Sequence, residues 1–259
     1  MNIKLKIALW LLFIIALMTT TGFVENSSEQ QLCKRIKINI LRPPGHYFLD
    51  SIDVMNTLLA NGDSLLNKKL SVINTGEIEK LIKKLEPVDS VQAFVSVDGW
   101  VFINISLRKV LLRVIPQNGK GFYIDSAGAR MEWLPKYTSR VVVATGDYFS
   151  YCGVKDSSLV NQCEKKVVKD LYVLAKFFSK NEFWEAFTDQ IYFNERGEIE
   201  LVPKYGDFRV ILGGVNNLEE KFEKLDLFYK SGLTPENIDS YSEIILKYKG
   251  QIVCKKKVI

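Results

Sequence analysis

The sequence predicts an α+β protein, built as two folded parts behind one apolar amino-terminal segment. Three observations predict it. An uncharged stretch covers residues 7–24, directly after Lys4 and Lys6. Residues 34–108 then read strand, helix, helix, strand, strand, as apolar spacing passes from alternation to a helical period and back. From Val110 onward short alternating runs are interrupted by two longer helical stripes. That pattern predicts a mostly antiparallel β domain with two helices over residues 109–259.

The first segment sets the compartment. A helix needs about 17–25 apolar residues to cross the hydrocarbon core, and the run over residues 7–24 reaches the lower end. Lys4 and Lys6 precede it, and Glu25 and Glu29 follow. The positive-inside rule therefore places residues 1–6 in the cytoplasm and the rest outside. A cleaved signal peptide competes with this reading, but residues 19–22 (TTTG) make a poor A-x-A-like site. A buried soluble helix is the third reading. Either of the first two exports the chain.

Composition excludes several function classes. The chain has 259 residues, 47% hydrophobic and 25% charged, which is ordinary globular composition rather than disorder. Its net charge of +5 is spread along the chain, with no basic block before Lys255, so nucleic acid is not an expected partner. His46 is the single histidine, which removes HExxH and paired-His metal sites. Cys33, Cys152, Cys163 and Cys254 show no CxxC spacing. Cys152 and Cys163 have two readings, a pair in an oxidising compartment or separate buried residues; burial is the expectation here.

In the first part, Ile36, Ile38 and Ile40 share one strand face over residues 34–41, stopped by Arg42-Pro43-Pro44-Gly45. A short helix over residues 49–59 carries Ile52, Leu58 and Leu59 as its apolar residues. A second helix over 75–85 has Ile78, Leu81, Ile82 and Leu85 in its stripe, and Pro87 ends it. Strands over 88–97 and 100–107 flank Asp98-Gly99, a two-residue hairpin signal.

In the second part, strands are expected at 122–125, 140–144, 190–194, 198–203 and 207–212. A helix capped by Asp156 or Ser157 has its stripe at Val160, Cys163, Val167, Leu171, Leu174 and Phe178. Another turns Leu218, Phe222, Leu225 and Phe228 inward. A last strand is expected over 242–254. Its even positions Ile244, Leu246, Tyr248 and Ile252 form an apolar face, opposite Glu243, Lys247, Lys249 and Gln251.

No catalytic constellation emerges. Gly213-Gly214 follows a strand, but neither GxGxxG nor a P-loop is present, and a turn explains it. Asp125 and Asp147 sit at strand ends, where turn-forming Asp is common. GxSxG is absent. His46, in a Pro-Pro-Gly-His loop, reads as exposed or capping, and the three lysines from Lys255 as a solvated tail. No enzyme, cofactor or metal is expected. What remains is an edge: a terminal strand exposes unpaired N–H and C=O groups, which are either protected by charge or filled by a partner strand.

The layout resembles the bacterial cell-division family FtsQ, also called DivIB. The residues carrying the resemblance are Leu85-Glu86-Pro87-Val88 with Val91-Gln92-Ala93 and Asp98-Gly99, then the strand from Ile103 to Arg108. Phe122-Tyr123-Ile124-Asp125 with Gly128, Val143-Ala144-Thr145-Gly146 and Ile244-Ile245-Leu246-Lys247-Tyr248 complete it. Ile245 stands at a usually acidic position and Lys247 at a usual Arg. The resemblance implies a POTRA module over residues 34–108 and an FtsQ-type β domain over 109–259. It implies a non-enzymatic scaffold at the septum, single-pass in the cytoplasmic membrane, that binds FtsB and FtsL. Through them it helps control septal peptidoglycan synthesis by FtsW and FtsI. FtsB would add a strand to the terminal edge, near Glu243, Ile245, Lys247, Tyr248, Lys249, Gln251 and Val253, with the POTRA module a second docking surface. Two other classes stay open. An outer-membrane assembly factor would need room for a barrel of strands, each about 9–11 residues long. An anchored periplasmic ligand-binding domain or enzyme would need a polar pocket with perturbed titratable groups.

Overall fold

A computed structural model describes residues 10, 12–14, 31–62, 64–117, 121–147, 157–233 and 237–257. The chain divides into two compact units, Met1–Leu107 and Arg108–Ile259. Residues 7–24 are described only at 10 and 12–14, so the expected membrane segment lies largely outside the described residues. Among the described residues no helix is long and apolar enough to cross a membrane.

In the first unit, β1 (Arg35–Leu41) is followed by α1 (Ser51–Ala60), α2 (Thr75–Lys83), β2 (Val88–Val95) and β3 (Trp100–Leu107). The sheet order is β1-β3-β2, with β1 parallel and β2 antiparallel to β3. Alternation turns Ile36, Ile38 and Ile40 onto the core, where Val101, Ile103 and Ile105 meet Val54, Leu58, Ile78 and Ile82 of the helices. α1 begins at a capping box in which Asp50 and Asp53 each accept the other's backbone N–H, both at 2.9 Å.

The buried face of this helix differs from the sequence reading. Val54 and Leu58 are buried, whereas Ile52 and Leu59 stand out into solvent. His46 also departs from expectation: it is 6% exposed, with Nδ1 2.7 Å from the Pro44 carbonyl and its ring edge-on to Phe48. It fills the inside of the Pro-Pro-Gly turn rather than its surface.

The Asp98-Gly99 hairpin has three loop residues, not two. Gly99 N–H donates to the Ser96 carbonyl and Ser96 N–H to the Trp100 carbonyl, with Gly99 at φ +88°. This is a turn closed by a left-handed glycine. Asn194, Gly197 and Glu198 repeat the same bonding in the second unit.

The second unit holds a nine-stranded sheet, in the order β12-β11-β10-β9-β8-β7-β4-β5-β6. Its strands are β4 (Val110–Pro116), β5 (Phe122–Asp125), β6 (Arg130–Glu132), β7 (Val142–Gly146), β8 (Thr188–Phe193), β9 (Ile199–Pro203), β10 (Arg209–Gly213), β11 (Tyr241–Ile245) and β12 (Val253–Lys256). The pairs β4–β7, β7–β8 and β10–β11 are parallel, and the rest are antiparallel.

Among its described residues this unit has three α-helices where two were expected: α3 (Ser157–Phe178), α4 (Glu182–Phe187) and α5 (Leu218–Ser231). At six residues α4 is too short to display a helical period. Its Trp184 nonetheless fills the meeting point of all three helices, 4.9 Å from Phe222, which in turn lies 4.7 Å from Phe177. The α3 stripe buries Val167, Leu171, Leu174 and Phe178, while the proposed cap Asp156 lies outside the described residues.

Cys163 is disulfide-bonded, against the expectation of simple burial. Cys33 and Cys254 are free thiols, and Cys152 lies outside the described residues.

Candidate partner-binding edge

The single long strand expected over residues 242–254 is two strands. β11 ends at Ile245, the chain turns through Gly250 at φ +70°, and β12 returns antiparallel. Glu243 faces Lys255, Ile244 faces Cys254, and Ile245 faces Val253 across the hairpin. β11 is therefore paired on both sides, with β10 in parallel and with β12. The open edge belongs to β12. At the other end of the same sheet, β6 is the outer strand.

The seven residues expected at the partner contact are thereby separated. Glu243 and Ile245 sit half-buried in the covered strand β11. Lys247, Tyr248, Lys249 and Gln251 form the exposed connection, and only Val253 lies on the edge strand. Ile244 and Leu246 are fully buried, so the first half of the expected apolar face is real. Tyr248 is 44% exposed and does not face the core, because the strand has already ended before it.

α5 holds this connection in place. Lys224 Nζ donates to the Tyr248 carbonyl at 2.8 Å and lies 3.6 Å from Glu220, whose carboxylate receives the Gly250 N–H. One turn away, buried Lys221 donates to the carbonyls of Leu212 (3.0 Å) and Gly214 (2.7 Å), tying the helix to the end of β10. Burial holds its ammonium below the ordinary lysine value. Sequence reasoning missed Lys221. The signal was its place in the helical stripe, three residues after Leu218, where a lysine needs acceptors to be tolerated.

The edge itself is cationic. Lys255 Nζ lies 3.3 Å from Glu243, and Lys257 Nζ lies 2.6 Å from Asp207, whose carboxyl it holds below the usual carboxylate range. Lys256 has no carboxylate partner among the described residues. Lys247 reaches Glu198 at 3.0 Å, which raises its ammonium above the ordinary value, and its Nζ sits 5.6 Å from the Tyr248 ring. Such lysines protect an edge from random pairing and favour an acidic partner segment. The Lys257 N–H returns to the Ser240 carbonyl, so strand alternation turns the Lys256 N–H outward. Cys254 is half-buried, and burial pushes its thiol pKa up, so it is a poor nucleophile.

Two open grooves lie among the described residues. One, of about 620 Å³, runs between Gly128, Arg130 and the α3 residues Glu164, Lys165, Lys169 and Tyr172. The other, of about 430 Å³, lies between β7 and α4. The groups displaced by burial, Cys33, Asp170, Lys221, Tyr229 and Cys254, line neither groove. The Arg130 guanidinium is already engaged, 3.4 Å from Glu164 and 4.2 Å from the Phe122 ring centroid. Asp125, one of the two carboxylates weighed from the sequence, is a turn anchor: it accepts the N–H groups of Ala127 and Ala129 and pairs with Arg108 at 2.7 Å.

The sheet that ends in this edge is what the comparisons match. A family model described as FtsQ/DivIB, C-terminal related, covers residues 110–255, more than half of the chain. The chain belongs to the FtsQ/DivIB family. A POTRA-like domain model matches residues 31–106 of this FtsQ/DivIB protein, over the β1-β3-β2 unit. A search of the curated proteins found no match. Membership makes the chain a cell-division scaffold protein of the division site, whose partners are divisome proteins. Both matched domains belong to non-enzymatic scaffold families.

Proposed function

We propose that this FtsQ/DivIB chain is a single-pass scaffold of the cytoplasmic membrane that accepts a strand from an FtsB-type partner along β12. Residues 7–24 are the membrane span and residues 1–6 its cytoplasmic start. A POTRA module over 34–108 and the β domain over 109–259 are exported to the septum. The observation that carries the reading is the open edge of β12 within the family-matched sheet.

Strand addition there gives main-chain hydrogen bonds, and neighbouring side chains give selectivity. Val253 is the contact on the strand. Tyr248, Lys249 and Gln251 flank it from the connection, with Lys247 beside them. Glu243 and Ile245 act from behind, by holding β12 in register. An FtsL-type protein joins the same complex, through which FtsW and FtsI are regulated in septal peptidoglycan synthesis.

The test is a proline at Lys256, which removes an outward N–H. Circular dichroism should leave the fold intact, while affinity for the FtsB-type protein should fall by about tenfold or more, the worth of one good main-chain bond. Unchanged affinity in a folded Lys256→Pro chain would sink strand addition.

A further inference from the structure

The POTRA-like unit carries a second surface, of different chemistry. α1 and α2 close the inner face of its sheet, while the outer face stands in solvent, with Phe94 47% exposed. Register places Arg35 beside Trp100, Lys37 beside Phe102, and Phe102 beside Phe94 on that outer face. The Phe94 and Phe102 rings stack at 5.1 Å, and those of Trp100 and Phe102 at 6.0 Å. The Arg35 guanidinium carbon lies 5.2 Å from the Trp100 centroid and Lys37 Nζ 5.9 Å from that of Phe102. Neither cation meets a carboxylate among the described residues, and the one acidic residue at an outward strand position, Asp89 at the β2 bulge, lies at the end of the sheet away from Arg35 and Lys37. Aromatic rings with unneutralised cations are the composition of a protein surface at lipid headgroups, where rings sit at the interface and Lys or Arg approach phosphates.

We infer that this face docks on an anionic phospholipid surface, with Arg35 and Lys37 on the phosphates and Trp100, Phe102 and Phe94 among the headgroups. The placement of the charge favours lipid over an acidic protein segment. Both cations stand on β1, the strand reached first after the uncharged run, and only ten residues separate Val24 from Arg35. Fully extended, such a tether reaches about 40 Å at most. This part of the inference rests on reading residues 7–24 as the membrane anchor.

The test uses the full chain in vesicles of phosphatidylcholine, with or without phosphatidylglycerol, containing lipid brominated near the headgroup. The Trp100 signal is the difference between the chain and its Trp100→Phe variant. Trp100 is quenched in the anionic vesicles and not in the neutral ones, and salt at about 1 M releases it, because screening then acts within about 3 Å. Arg35→Gln with Lys37→Gln weakens docking roughly 30-fold, as loss of two charges near an anionic surface requires. Unquenched Trp100 in the anionic vesicles overturns the inference, and so does quenching that the double variant retains. Shielding of Trp100 only after an acidic division protein is added assigns the face to protein instead. Alkaline carbonate washing reports the anchor separately. A chain that washes off fails the anchor reading, and adding it back to the same vesicles still decides the lipid face.

Discussion

Asp125 shows how one carboxylate organises the start of the second unit. It is 5% exposed, yet its Oδ1 accepts the N–H groups of Ala127 (3.0 Å) and Ala129 (2.7 Å), and its Oδ2 meets Arg108. Asp125→Ala should lose about 3–5 kcal/mol in urea unfolding, since it strands a paired arginine and two amides. Asp125→Asn keeps an oxygen for the turn and should lose less; equal losses would mean that the turn bonds contribute nothing. Lys221 gives a pH-dependent counterpart. Lys221→Met leaves the Leu212 and Gly214 carbonyls without their donor, at a cost of about 1–3 kcal/mol. Because burial lowers the lysine pKa, the folded protein releases this proton before the unfolded chain does. Its contribution to stability therefore rises with pH up to the unfolded value of about 10.4, then stays flat. The gap between the original chain and Lys221→Met should widen from pH 7 to pH 10 in paired urea titrations.

Single elements show where local signals suffice. The Asp50–Asp53 capping box begins α1, whose Val54 and Leu58 are buried. Asp50→Ala should cost about 1 kcal/mol, read as a lower urea midpoint with the same slope. A change confined to the slope would mean that the cap acts on the unfolded chain instead. The second helix of this unit was legible from its stripe, because Ile78 and Ile82 recur at helical spacing ahead of Pro87. The terminal hairpin was not legible. Residues 242–254 alternate well enough to read as one strand, and only Gly250 in the left-handed region marks the reversal. α4 was lost for another reason: six residues carry too little period, and Trp184 is recognisable only by the rings of Phe222 and Phe183 around it.

At the scale of the molecule, the disulfide at Cys163 bears on where the chain folds. Bonded cysteines persist in oxidising compartments, the kind of compartment in which the proposed export would place this unit. Reductant should lower the unfolding free energy by about 2–4 kcal/mol, and Cys163→Ser should match the reduced protein without further response to reductant. A Cys163→Ser chain as stable as the oxidised one would make the bond dispensable. The two units also divide the surface chemistry. One presents a cationic edge strand and the other a face of rings and cations, two chemically distinct surfaces.

By itself the sequence determined the α+β class, the order of the first unit's elements, the long helical stripes and the relation to FtsQ/DivIB. These follow from residues close together in the chain: alternation, helical period, Pro87 as a stop, and glycine turns. Tertiary structure decided which strand forms the edge, how Tyr248 and Ile52 face, why His46 is buried, and where Lys221 finds its acceptors. Each of those depends on groups distant in sequence or on backbone direction. β12 covers β11 only because the chain turns back at Gly250, and Lys221 is tolerated only because the end of β10 lies beneath it. Local pattern sets which face of an element is apolar. The neighbour that face meets is settled only when the whole sheet has closed.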